Sequence, residues 1–127
     1  MRRVLVCGSR TWTDAAAIKT ALWSLNPATD TIIHGACASG ADRITHQLAR
    51  ERGFAIRTYS ADWDSQKRAA GPIRNREMVD SLTPGRDLVL AFLAEGNSPG
   101  TIGTIELDRD RHVTVRVFRP DGTSYAT

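Results

Sequence analysis

Cysteine occurs only twice in the 127 residues, at Cys7 and Cys37, with neither a C-x-x-C pair nor zinc-ligand spacing around them. That excludes a disulfide scaffold and a zinc ribbon, and leaves small buried thiols in a reducing compartment as the expectation. His34, His46 and His112 also lack metal-ligand spacing, so no metal and no cofactor is expected, and His34 reads as a structural residue. No apolar run is long enough to span a bilayer, and "MRRVLVCGSR" passes from two arginines straight into a strand-like run without the apolar core of a signal peptide. The expectation is a cytoplasmic chain with no membrane partner. Charge of neither sign is bunched. Seventeen Lys and Arg against fourteen Asp and Glu give a net charge of +3, spread along the chain, which fits an anionic partner. There is no basic tract and no run of aromatics, the features that sequence-tolerant binding of single-stranded nucleic acid uses.

What is present is a regular alternation of short apolar runs with helical patterns, uninterrupted by repeat or linker. The length suits one domain, read as residues 1–119 with a tail at 120–127. "VLVCG", "DTIIHG", "FAIRTY", "DLVLAFLA" and "VTVRVF" read as five strands. Ile18, Ala21, Leu22 and Leu25 share one face of a helix over residues 14–25. A second helix is expected from Ser39, with Ser39 and Asp42 as a capping box, to Gly53. A third starts near Pro72 after a long loop, "ADWDSQKRAAGP", which reads as a lid or as disorder, and a fourth covers 102–111 with Thr101 as its cap. The tail carries a Pro-Asp-Gly turn that folds back or frays.

This alternation predicts an α/β fold, a three-layer sandwich around a mostly parallel five-stranded sheet. Strands one and four are nearly continuously apolar, as central strands are, while three and five alternate with Arg57, Thr114 and Arg116. The order 3-2-1-4-5 satisfies both facts, and its reversal between strands one and four marks the edge where open α/β sheets bind ligands.

Four segments converge on that edge. Gly8-Ser9-Arg10 ends strand one with a backbone an anion can approach, beside a hydroxyl and a guanidinium. "HGACASGAD" turns strand two into a helix through Gly35, Ser39 and Gly40, ending on Asp42. Gly35 and Gly40 have P-loop spacing, but Ala41-Asp42 stands where Lys-Ser/Thr is required, which excludes that class of NTPase. In "GPIRNREMVDSL", Asn75 sits within the apolar stripe and needs a partner, with Arg74 flanking it. These two either bind a ligand or tie down neighbouring loop carbonyls. "SPGTIGTIE" supplies Ser98, Gly100, Thr101, Gly103 and Thr104; Gly103 could instead pack on the sheet, and Glu106 could pair with Arg109. Trp12 and Trp63 flank the edge and either stack on a base or pack.

With those residues in view, the chain resembles the SLOG superfamily of Rossmann-like nucleotide-derivative binders, and within it the small YspA-type branch. The likeness is carried by "GSR.W.D", "HG...GAD", "ADW", "AGPIRNREM" and a Gly-Thr turn, over roughly residues 3–118. More distantly, Arg74 with Pro99, Gly100, Gly103 and Thr104 is similar to the motifs of the LOG hydrolases, which release the base from a nucleoside monophosphate. Thr101 replaces one Gly of that turn, Leu107 occupies the slot of the functional Glu, and Glu106 lies one residue early. The Arg74-Asn75-Arg76 segment is also similar to one in DprA, a single-stranded-DNA binder. The resemblance implies, first, binding of an ADP-ribose-like or nucleoside-phosphate ligand by a homo-oligomer. It implies as alternatives an N-glycosidase using Arg74 and Glu106, or nucleic-acid binding.

Overall fold

A computed structural model describes residues 2–96 and 98–127. β1 (Arg2–Gly8), β2 (Asp30–His34), β3 (Ala55–Thr58), β4 (Leu88–Phe92) and β5 (Thr114–Phe118) pair in parallel in the order β3-β2-β1-β4-β5. The expected α/β sandwich and strand order are both present. β1 and β4 pair from Val4 with Leu88 to Gly8 with Phe92, which brings their carboxyl ends side by side at the reversal. The sheet also gains a strand. β6 (Ser124–Ala126) folds back antiparallel on β5 after the Pro-Asp-Gly turn, so the tail extends the sheet instead of fraying. Its three residues are all exposed and carry no apolar alternation, so pattern alone does not reveal it.

Helices cover both faces of the sheet. α1 (Ala15–Trp23) and α2 (Ala41–Glu51) bury Ile18, Leu22, Ala41 and Ala49 against Val4, Val6, Ile32, Leu90 and Phe92. α4 (Ala70–Asp80) and α5 (Pro99–Asp110) cover the other face, with Met78, Val79 and Ile105 against Leu5, Ile33, Val89 and Val115. α1 is capped by Asp14, whose carboxylate accepts the Ala17 N–H at 3.2 Å. Among the described residues no helix is long and apolar enough to cross a membrane.

Four local expectations change. The Ser39/Asp42 capping box is not made: Gly40 occupies the cap position, Ser39 Oγ donates to Arg10 O at 3.2 Å, and Asp42 Oδ2 accepts Cys37 N–H. The long loop at 61–72 is ordered as helix. Asp62 caps α3 (Trp63–Gln66) by accepting the Ser65 N–H, a single 3-10 turn follows at Lys67–Ala69, and α4 begins two residues before Pro72. α5 begins three residues before 102, with Pro99 in its first turn, where the missing N–H costs nothing. Its cap position is therefore Ser98 and not Thr101, which lies buried inside the first turn.

Candidate functional site

The cleft at the sheet reversal is built by the ends of β1 and β2 on one side and by α4 and α5 on the other. Its inner lobe, about 370 Å³, is lined by Gly8, Ser9, Arg10, Gly35, Asp42, Arg74, Asn75, Ser98, Gly100, Thr101 and Thr104, among others. An outer lobe of about 400 Å³ shares Arg10, Gly35, Cys37 and Arg74 with it and adds Ser39, Ser60, Ala61 and Trp63. Twelve of the fourteen residues expected around a ligand therefore line one two-lobed cavity. Gly40 and Gly103 do not.

Each wall is fixed by identifiable contacts. Ser9 Oγ meets Ser98 Oγ at 2.6 Å and accepts the Ala94 N–H at 3.0 Å, which ties the end of β1 to the start of α5. The first intrahelical bond of α5 runs from Ile102 N to Ser98 O. The N–H groups of Gly100 and Thr101 lie before it, on the end of the helix that carries positive partial charge. Thr104 Oγ1 donates back to Gly100 O at 3.0 Å, so its hydroxyl hydrogen is already committed.

Arg74 is buried, at 8% exposure, and its partners are specific. Nη1 donates to Gly35 O at 2.5 Å and Nε donates to Asn75 Oδ1 at 2.8 Å. Arg74 thus fastens α4 to the loop after β2, and Asn75 finds the partner its inward position requires. The guanidinium still lines both lobes. Arg10 is exposed at the mouth, with its guanidinium carbon 5.9 Å from the centre of the Trp63 ring. That indole is 50% exposed and borders the outer lobe, so it is available for stacking. Trp12 is not. At 3% exposure it packs edge-on against Phe92 and donates its indole N–H to Asp14 O, which excludes it as a base-stacking residue.

The glycines divide in the same way. A Cβ on Gly8 would lie 2.5 Å from Ala41 Cβ and 2.6 Å from Phe92 O, so this glycine lets α2 approach β1. Gly40 has φ of 72° and packs on Ser9 and Arg10 backbone, and Gly35 makes room for the Arg74 guanidinium. A Cβ on Gly100 would meet only Asn75 Nδ2, at 3.9 Å, and one on Gly103 nothing within 4 Å. Gly103 neither packs on the sheet nor faces the cleft.

Glu106 is exposed on α5, away from the cleft, because the helix turns Thr101, Thr104, Ile105 and Asp108 inward. Glu106 does not line the cleft, and Leu107, half-buried, packs against the core cluster. The carboxylate on the cleft wall is Asp42. Burial, then Asp42, pushes the Cys37 thiol up against the opposing pull of Arg74 and Arg10. Burial, then Asp108 and Asp42, does the same to Cys7. Neither thiol is poised as a thiolate nucleophile. Among the described residues, no cluster of His, Cys, Asp or Glu has the makings of a metal site.

The model of the YspA, cpYpsA-related SLOG family (YAcAr) matches residues 2–65. The chain belongs to this SLOG family. It is also 39% identical over 109 residues to the Gene 61 protein of Mycobacterium phage D29, an alignment spanning 80% of this chain and 83% of the phage protein. The SLOG match covers Gly8-Ser9-Arg10 and the loop from His34 to Asp42, while the α4 and α5 walls lie beyond residue 65.

Two features of the elements that build the cleft are not evident in its motifs. One is the contact of His34 with His46, which come from a strand end and a helix twelve residues apart. The other is Asp108, fully buried with neither carboxylate oxygen hydrogen-bonded. The inward stripe Thr101, Thr104, Asp108 is readable at helical spacing once α5 is known to start at Pro99.

Proposed function

We propose that the cleft binds a nucleotide-derived ligand, such as an ADP-ribose-like or nucleoside-phosphate species, with a phosphate at the start of α5 and a base against Trp63. The observation that carries this reading is the open space at Gly100. On this SLOG chain it is the glycine of the cleft that faces cavity and not protein, at the positively polarised start of a helix and within a lobe walled by Arg74. The half-exposed indole in the adjoining lobe suits a planar ring. No carboxylate stands at the hydrolase position, which favours binding over glycosidic cleavage. A hydrolase test falls on Asp42→Asn, with Glu106→Ala as the inert control.

Native mass spectrometry of the purified protein, followed by calorimetry with the co-purifying nucleotide or with ADP-ribose and AMP, tests the reading. Gly100→Val should fold normally and lose at least tenfold in affinity, because its branched side chain fills the space at the helix start. Affinity within about threefold of wild type, roughly 0.65 kcal/mol, would remove the phosphate site from this turn. Single-stranded DNA added as competitor separates small-ligand binding from the nucleic-acid alternative, whose affinity should fall steeply with salt. A homo-oligomer belongs to the same proposal. Ile102, 42% exposed on α5, is an apolar residue it would cover, and sedimentation at two concentrations tests it.

A further inference from the structure

Behind the loop that joins β2 to α2 lies a second cavity, about 650 Å³, bordered by His34, Ala36, Cys37, Asp42 and His46. It meets the outer lobe of the cleft at Ala36 and Cys37 and the inner lobe at Cys37 and Asp42. The loop is the partition between them. Its conformation is held by an unusual chain of hydrogen bonds. Ala36 N–H donates to His34 Nδ1 at 3.0 Å, and His34 Nε2 lies 2.8 Å from His46 Nδ1, with the rings at 90°.

The protons in this chain follow from its partners. His34 Nδ1 accepts from a backbone N–H, so it carries no proton, and neutral His34 must be protonated on Nε2. That N–H donates to His46 Nδ1, which leaves the His46 proton on its own Nε2. An added proton has no place that preserves both bonds. On His34 Nδ1 it opposes the Ala36 N–H. On His46 Nδ1 it opposes the His34 N–H, unless His34 shifts its proton to Nδ1 and meets the same opposition there. One bond must break.

The loop is poised to respond, because Ala36 has φ of 58°, a left-handed conformation that is strained for a residue with a Cβ. Gly35, beside it, supplies the carbonyl that anchors Arg74. We propose that the His34–His46 pair is a proton-operated latch joining α2 to the Gly35–Cys37 loop, closed when the pair is neutral and opened by one added proton. As a control on ligand access this rests on the cleft reading; as a structural device it does not.

The charged groups around the pair set where it opens. Burial, foremost, holds the His34 pKa below its ordinary value; Asp42 pulls it up and His46 pushes it down. Arg43 and Arg50, on the cavity wall from α2, oppose a further positive charge, and Glu51 favours it. Arg74 approaches from α4 through Gly35. The latch is therefore closed at neutral pH and opens below about 6.5, the ordinary histidine value.

Ligand-free protein labelled with ¹⁵N tests this directly. At pH 8, long-range spectra of the imidazole nitrogens should show both histidines protonated on Nε2. Between pH 8 and 5, the amides of Gly35, Ala36 and Cys37 should shift together with a shared midpoint below 6.5, tracking the histidine signals. In His46→Gln, whose amide oxygen can accept the same bond but cannot be protonated in this range, that midpoint should move by half a pH unit or more. A proton on His34 Nδ1 at pH 8, amides that stay fixed while the histidines titrate, or an unchanged midpoint in the variant would each overturn the latch. No ligand enters the experiment, so the latch can fail with the cleft reading intact, and the reverse.

Discussion

On the β1–β2 side of the cleft, a side chain at Gly8, Gly35 or Gly40 would run into protein atoms, whereas on the α5 side Gly100 and Gly103 look onto space. Hydrogen bonds follow the same division. The loops after β1 and β2 are pinned by Ala41 N to Ser9 O, Ser39 to Arg10 O and Arg74 to Gly35 O. α5 is held to β1 by Ser98 and Ser9, and beneath it an aspartate enters the core with no partner. Small residues on one wall serve packing, and on the other they leave room. Glycine in a sequence announces a close approach without saying whether the approaching group is protein or ligand, and burial of the hypothetical Cβ decides.

The sharpest test of the looser wall is Asp108. Burial, opposed only weakly by Arg111, raises its pKa to about 7. A raised acid binds its proton in the folded state at pH values where the unfolded chain has released it, so stability falls as pH climbs from about 4 to about 7. Asp108→Asn removes the charge at nearly constant shape. It should leave stability unchanged near pH 3.5 and raise it at pH 8.5 by up to about 4 kcal/mol, three pKa units at about 1.4 kcal/mol each. Urea unfolding of both proteins across that range gives the answer; a parallel pair of pH profiles would mean that Asp108 finds a partner in solution.

The tight wall should fail in the opposite sense. Gly8→Val places branched carbons against Ala41 and a β4 carbonyl, and should cost about 3 kcal/mol or more, read as a fall in melting temperature. A melting point near wild type would mean that α2 can lift off β1 cheaply. Arg74→Ala comes next, since it strands the Gly35 carbonyl and empties a buried site, and about 1.5–3 kcal/mol of stability should go with it. Arg10→Ala, exposed at the mouth, should leave stability unchanged and reduce only nucleotide affinity. Equal stability losses at the two arginines would dissolve the distinction between an anchor and a contact.

How much of this was legible beforehand depends on range. The sheet order could be read because apolar runs record burial on both faces: Val4, Leu5, Val6 and Val89 to Phe92 are all buried in the central strands. The convergence of Gly8, Gly35, Arg74 and Gly100 followed from that order. What sequence could not supply was rotation and pairing. Glu106 and Asp108 differ by two residues, or about 200° of helix, and only the actual start of α5 at Pro99 decides which one faces inward. Trp12 and Trp63 look alike in sequence, yet one is core and the other half-exposed, because Phe92 stands beside the first. β6 escaped because three exposed residues on an edge need no apolar pattern. The histidine pair escaped because each residue alone has an ordinary structural explanation.

Gly103 gives the smallest effect and separates the two uses of glycine most cleanly. It stands inside α5, outside the cleft lining, with nothing within 4 Å of a would-be Cβ. A glycine in a helix interior lowers stability by roughly 0.5–1 kcal/mol relative to alanine, because the unfolded chain has more freedom to lose. With no neighbour to displace, Gly103→Ala should recover that amount and leave nucleotide binding within error of wild type. A stabilised variant with normal binding would show that the second glycine of the Pro-Gly-Thr-Ile-Gly-Thr turn is dispensable to the site. A variant that loses binding while gaining stability would mean that the start of α5 must distort to receive its ligand, and that the space around Gly103 is where it moves.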